Sequence, residues 1–179
     1  MTCAEIYKKI ADHFPREKIE FVEGARHPVT QAITGDPFLV IPASGLIEIC
    51  KTLQLMEQFS FDCLSSLTAI DRLNAAHPEE SRFEMVYHLF SYRHRHSLTL
   101  KVYLPRDDSA HLPTAEGVWA CANWLEREVF DLFGITFEGH SDLRRIMLPD
   151  DWVGYPLRKD YKEQEDYHGI STTRPPLIQ

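Results

Sequence analysis

Two stretches of strict alternation, RFEMVYHLF at residues 82–90 and SLTLKVYL at 97–104, constrain the fold of this chain more than any other feature. Phe83, Met85, Tyr87 and Leu89 share one side of the first, and Leu98, Leu100, Val102 and Leu104 share one side of the second, which is the period of a strand with one buried face. The polar SYRHRHS between them fits a solvent-side turn, so the pair reads as a β-hairpin. A further strand is expected at Cys63–Ile70, which makes a meander.

Helical patterns flank it. Ile6, Ile10 and Phe14 recur at spacings of four, giving a short amphipathic helix over 4–14 that Pro15 closes. Gly24, Pro28, Gly35 and Pro37 then leave room only for short strands at Ile19–Glu23 and Phe38–Ile41. Ser44 is a candidate N-cap for a helix running to about Phe59, with Leu46, Ile49, Cys50, Leu53 and Met56 on one face. Thr114 is a second candidate cap, for a long helix that reaches Phe133 and stops at Gly134. The order of elements predicts an α+β fold, a mainly antiparallel sheet packed against helices.

With 179 residues and 44% hydrophobic content the chain can bury one real core, expected over residues 1–134. Residues 135–179 carry Pro149, Pro156, Pro175 and Pro176 and little periodicity, so they read as an extended irregular tail, ordered against a surface at first and mobile over 161–179. Acids outnumber Lys plus Arg by 27 to 19, a formal charge of -8 that opposes nucleic-acid binding. The four cysteines are scattered and form no CxxC pair, so they read as reduced, mostly buried thiols. No apolar run approaches the ~20 residues needed to cross a bilayer, and the first residues lack a signal-peptide core.

Chemistry concentrates in EREVFDLFGITFEGHSDLRR, residues 126–145. On a helical wheel, Val118, Ala122, Leu125, Val129 and Leu132 form the core stripe, and Arg127 and Asp131 lie opposite it as an ordinary helical ion pair, worth roughly 0.3–0.5 kcal/mol if exposed. Trp124 and Phe130 fall off the stripe, which implies that a tail or a partner covers that side too. Glu126 and Glu128 sit roughly 160° apart on the wheel, so they cannot serve one substrate as an acid–base pair. Arg144, Arg145 and Arg158 are the expected carboxylate partners.

Other candidates read as structural. His94 and His96 interleave with arginines and have no third metal ligand nearby, which favours a solvated loop. His140 is expected to bond nearby backbone rather than act as a base. Ser65, Ser66 and Cys121 lie in no nucleophile motif and read as packing residues, and no glycine-rich phosphate cradle occurs.

The segment from Glu126 to Tyr161 resembles the signature of the 30 kDa subunit family of respiratory complex I, the C subunit of proton-pumping NADH:quinone oxidoreductase. The signature positions are Glu126, Arg127, Glu128, Asp131, Leu132, Phe133, His140, Arg144, Ile146 and Met147, and the stretch from Pro149 to Tyr161 is similar to the family's tail. The hairpin and the PRDD at 105–108 extend the likeness to residues 64–161. The resemblance implies a peripheral-arm subunit with no catalytic, metal or cofactor site of its own. NADH, flavin, iron–sulfur clusters and quinone would belong to other subunits. Its expected partners are the quinone-site subunit and the subunit holding the terminal iron–sulfur cluster, on the cytoplasmic side of a bacterial inner membrane or its organellar equivalent. Membrane association would come through the complex alone. On this reading the signature residues, with Arg145, clamp the helix to the tail. Trp124, Phe130, Asp150, Asp151, Trp152, Gly154, Tyr155, Pro156, Leu157, Arg158, Lys159, Asp160 and Tyr161 would meet the partner. An equivalent subunit of an energy-converting hydrogenase or a ferredoxin:quinone reductase would carry the same motifs, and a free-standing soluble enzyme is the remaining alternative.

Overall fold

A computed structural model describes residues 1–26 and 33–172. The expectations for Pro28, Pro175 and Pro176, and for the chain end beyond 172, lie outside the described residues.

The predicted hairpin is the centre of the molecule. Strands β6 (Arg82–Ser91) and β7 (His96–Pro105) pair in a register that sets Phe83 opposite Leu104, Met85 opposite Val102, Tyr87 opposite Leu100 and Leu89 opposite Leu98. All eight side chains are buried, as the alternation requires. Around them the chain sets out α1 (Cys3–His13), β1 (Glu20–Val22), β2 (Ala25–Arg26), β3 (Ile33–Thr34), β4 (Phe38–Val40), α2 (Leu46–Leu55) and β5 (Cys63–Arg72). After the hairpin come β8 (His111–Pro113), α3 (Ala122–Phe133), β9 (Thr136–Glu138) and the short pair β10 (Asp166–Tyr167) and β11 (Ile170–Ser171).

The main sheet has the order β1-β4-β7-β6-β5. Its pairs are antiparallel except β4 with β7, which run parallel. The α+β expectation therefore holds, with one parallel join. Ile6 and Ile10 of α1, Leu46, Ile49, Cys50 and Leu53 of α2, and Ala122, Val129 and Phe133 of α3 belong to one core with the inward residues of the sheet. At about 25 cal/mol per Å² of apolar surface, burying that set is the main source of stability.

Four local expectations change. Helix α2 begins after a single 3-10 turn over Ala43–Gly45 and ends at Leu55, and neither helix start has a side-chain cap, so Ser44 does not act as one. Met56 is extended, and Phe59 reaches the core from a turn instead. Helix α3 starts at Ala122 rather than near Thr114. Residues 115–121 are held as turns because Trp119 Nε1 donates to the Phe61 carbonyl at 3.0 Å and Gln54 Nε2 donates to the Val118 carbonyl at 2.6 Å. Helical continuation would need that carbonyl for an i+4 bond. Gly134 does stop α3, in the left-handed region at φ 74.

The histidine loop is solvated over residues 92–95, as expected, but His96 opens β7 and leaves the solvent. His96 is buried and its ring bonds the Phe59 carbonyl at 3.0 Å, while His94 bonds the Glu57 carbonyl at 2.8 Å. Burial lowers the His96 pKa. Among the cysteines only Cys50 is fully buried; Cys3 and Cys63 are half-buried and Cys121 is exposed, its thiol donating to the Leu64 carbonyl. Ser65 is exposed as well and bonds the His88 carbonyl across the strand pair.

Candidate functional site: a tail held on buried carboxylates

Helix α3 carries two fully buried acids, Glu126 and Asp131, and each reaches a different part of the chain. Asp131 Oδ2 accepts three consecutive backbone N–H groups, from Ile146 at 2.9 Å, Met147 at 2.7 Å and Leu148 at 3.0 Å. Oδ1 accepts Arg145 Nη1 at 3.0 Å, and Arg145 Nη2 continues to the Gly154 carbonyl at 3.2 Å. The Arg145 guanidinium also lies 5.4 Å from the Tyr155 ring centre. Burial alone would raise the Asp131 pKa, but the N–H groups of Leu148, Met147 and Ile146, with Arg145, overcome it and hold the carboxyl below its ordinary value. One carboxylate thus fixes the tail's first turn.

Asp131 and Arg127 are therefore not an exposed helical pair: both are buried. The wheel places them correctly opposite the core stripe, but the tail folds over that side. Arg127 Nε donates to the Arg144 carbonyl at 3.2 Å, Nη1 lies 3.6 Å from Asp142, and the guanidinium sits 4.7 Å from the Trp124 ring. Conversely, Leu125 and Leu132 on the predicted stripe are only half-buried.

Glu126 has a quieter setting. Oε1 accepts the Ala115 N–H at 2.7 Å and Oε2 accepts the Thr114 hydroxyl at 2.5 Å. His140, whose ring is fully buried, lies 4.0 Å away. Its Nε2 donates to the Asn123 carbonyl at 3.0 Å and its Nδ1 accepts the Asp142 N–H at 3.0 Å, which is the backbone role expected of it. Burial raises the Glu126 pKa, only partly offset by Thr114, Ala115 and His140. None of the expected arginines reaches it: Arg144 is exposed and pairs with Asp142 at 3.0 Å, Arg145 holds Asp131, and Arg158 lies elsewhere. Glu128 points outward and is exposed.

A second anchor was missed in the sequence. Asp71, at the end of β5, takes Arg106 through both oxygens at 2.6 and 2.8 Å and accepts the Lys159 N–H at 2.8 Å. Arg106 also grips Asp160 at 2.6 and 3.2 Å. Burial would raise the Asp71 pKa, yet Arg106 and the Lys159 N–H bring it below its ordinary value. A signal existed: Leu67, Ala69 and Asp71 alternate on one face, and an acid on a buried face needs a partner. Arg106, inside the PRDD stretch, was that partner.

Between the two anchors the tail is tied to the end of α3. Leu157 N donates to the Leu132 carbonyl at 3.1 Å, and Arg158 Nε donates to the Phe133 carbonyl at 2.6 Å. Arg158 reaches Asp108 at 3.0 Å and lies over the Tyr155 ring. A Cβ on Gly134 would come within 2.4 Å of the Tyr155 ring, so the helix stop and the tyrosine seat are one feature. Further on, Asp151 accepts Tyr167 and His168, and Trp152 lies 5.2 Å from the Tyr167 ring, which places β10 and β11 against the tail.

The residues expected to meet a partner thus divide. Trp152, Gly154, Tyr155, Pro156, Arg158 and Tyr161 are half-buried against the chain itself, as is Phe130. Asp150, Leu157 and the Lys159 side chain face outward. Trp124, Met147, Val153 and Leu157 are each at least 50% exposed, four large apolar groups on α3 and the tail strapped across it. Among the described residues no three His, Cys, Asp or Glu side chains gather as a metal site, and no helix is long and apolar enough to cross a membrane.

Fold and site define a small α+β unit with a carboxylate-anchored tail, and that unit has relatives. The family of the respiratory-chain NADH dehydrogenase 30 Kd subunit matches residues 39–167. The C subunit of NADH-quinone oxidoreductase from Geobacter sulfurreducens is 40% identical over 139 residues, 75% of this chain and 82% of its own. Its counterpart from Chloroherpeton thalassium is 45% identical over 115 residues, 64% of this chain and 45% of its own length. In Nitrosospira multiformis a C/D subunit of NADH-quinone oxidoreductase is 40% identical over 150 residues, which are 79% of this chain and 24% of that protein. A chain in the structure of an archaeal respiratory membrane complex, the membrane-bound sulfane sulfur reductase, is 30% identical with a TM-score of 0.65, covering 89% of this chain and 85% of that one. The chain belongs to the respiratory-chain NADH dehydrogenase 30 kDa subunit family, as the residues from Glu126 to Tyr161 implied.

Proposed function

We propose that this chain is a non-catalytic peripheral-arm subunit of a proton-translocating NADH:quinone oxidoreductase. It supports electron transfer from NADH to quinone by docking on the quinone-site subunit and the terminal iron–sulfur subunit. The carrying observation is a division of roles: Asp131 and Asp71 hold the tail through partners within the chain, while Trp124 on α3 and Met147, Val153 and Leu157 on the tail are left outside. Apolar groups of that size on a rigid base are what a protein interface uses for its core. The Nitrosospira relative, whose name joins C and D, supports a D-type neighbour, because a fused chain keeps two parts together. NADH, flavin, clusters and quinone then bind in other subunits, and the chain sits peripherally on the cytoplasmic side of the membrane.

The archaeal likeness favours a second reading, an equivalent subunit in a membrane respiratory complex with a different electron input. Motifs in this chain do not separate the two, since the donor would bind elsewhere. A tagged pull-down from gently solubilised membranes, with an assay of NADH-dependent quinone reduction, separates them. Flavin and iron–sulfur partners with NADH activity support the first reading; partners without NADH activity support the second; a chain that emerges alone sinks both. In the same assay Arg145→Ala should weaken assembly, at a cost of roughly 2–5 kcal/mol for uncovering the buried Asp131 carboxylate.

A further inference from the structure

We propose that Glu126 keeps its proton at neutral pH and works as a neutral hydrogen-bonding side chain, so the two acids of the ERE triplet are chemically different groups. The inference rests on the geometry around α3 and is independent of the functional reading above.

Glu126 is fully buried and touches no cation. Its two contacts are neutral donors, the Thr114 hydroxyl and the Ala115 N–H. A buried anion with two neutral hydrogen bonds and no counter-ion is a costly arrangement, and taking up a proton removes the cost. The one basic side chain nearby bonds elsewhere: His140 Nδ1 accepts the Asp142 N–H and its Nε2–H donates to the Asn123 carbonyl, with Glu126 at 4.0 Å.

The other titratable groups near Glu126 offer no positive charge. Tyr87 on β6 and Cys50 on α2 are fully buried, and burial raises both pKa values, so neither is a counter-ion. Glu116, on the turn before α3, adds a negative charge. Thr114, Ala115 and His140 only partly offset the burial of Glu126, whereas Arg145 and three N–H groups outweigh that of Asp131. With the proton in place, the Thr114–Glu126 contact can be made by either hydroxyl. The Tyr87 hydroxyl is buried without a hydrogen-bond partner, near enough for Glu126 to raise its pKa.

The test uses the full chain with carboxyl-labelled glutamate, followed by carbon NMR across pH. One glutamate carboxyl should remain in the protonated range at neutral pH, and that resonance should vanish in Glu126→Gln. The same variant should leave the melting temperature nearly unchanged, because the amide keeps the shape and the neutral state. Three results overturn the proposal: no protonated glutamate in the wild type, a protonated signal that survives Glu126→Gln, or a Glu126→Gln loss of stability as large as that of Asp131→Asn. The wild-type spectrum decides the matter even if the variant fails to fold.

Discussion

Glu126 and Asp131 stand five residues apart on one helix, both sealed from solvent, yet the chain treats them in opposite ways. Asp131 meets an arginine and three N–H groups and is held below its ordinary pKa; Glu126 meets a hydroxyl and one N–H and is pushed above its own. Both are sealed from solvent, but Glu126 lies deeper in the protein than Asp131, so depth and partners together set the difference. Asp131 is a charged anchor for a segment with no secondary structure of its own, whereas Glu126 ties a turn to a helix without a charge.

The largest expected effect comes from removing the anchor. Asp131→Ala strips the acceptor from Arg145 and from the N–H groups of residues 146–148, and should lower stability by about 3–5 kcal/mol in urea unfolding. A loss under about 1 kcal/mol would mean that the tail does not depend on Asp131.

The comparison should also appear in the pH profile. A carboxyl with a lowered folded pKa contributes stability above its unfolded value, near 4, which is lost as the pH falls through the folded value. A carboxyl with a raised folded pKa does the reverse: its contribution is complete below the unfolded value and is lost as the pH rises through the folded one. Asp131→Asn should therefore flatten the acid limb of the stability curve, and Glu126→Gln the limb at higher pH. If both variants flatten the same limb, the contrast is false.

The smallest effect sharpens the picture by its absence. Arg144→Ala removes an exposed side chain paired only with half-exposed Asp142, and should cost about 0.5 kcal/mol or less. That separates the two neighbouring arginines of the signature region, since Arg145 is the one that reaches a buried acid.

How much of this was legible depends on whether the information was local. Alternation in residues 82–90 and 97–104 encodes the strands and their faces, while the register is set by the turn between them. Gly134 marks the helix stop for the same local reason. The wheel put Asp131 and Arg127 opposite the core stripe and was right, but it cannot see that residues 144–148 return over them. The three N–H donors at Asp131 are backbone groups, so no residue type announces them. Arg106 and Asp71 are 35 positions apart and meet because β5 and β7, on either side of β6, end level with each other. The start of α3 was misplaced because Thr114 does accept a following N–H, that of Glu116, as a cap would, but the chain makes turns from there to Cys121 before the helix begins.

The parallel join of the main sheet, β4 with β7, bears on the order of events as the chain is made. Val40 pairs with Lys101, about sixty residues later, so β4 has no central neighbour until the hairpin leaves the ribosome. The hairpin closes over a four-residue turn and can form early, while β1 and β4 must wait, their edge open, for β7 to arrive. The amino-terminal third of the chain is thus the last part of the sheet to become native.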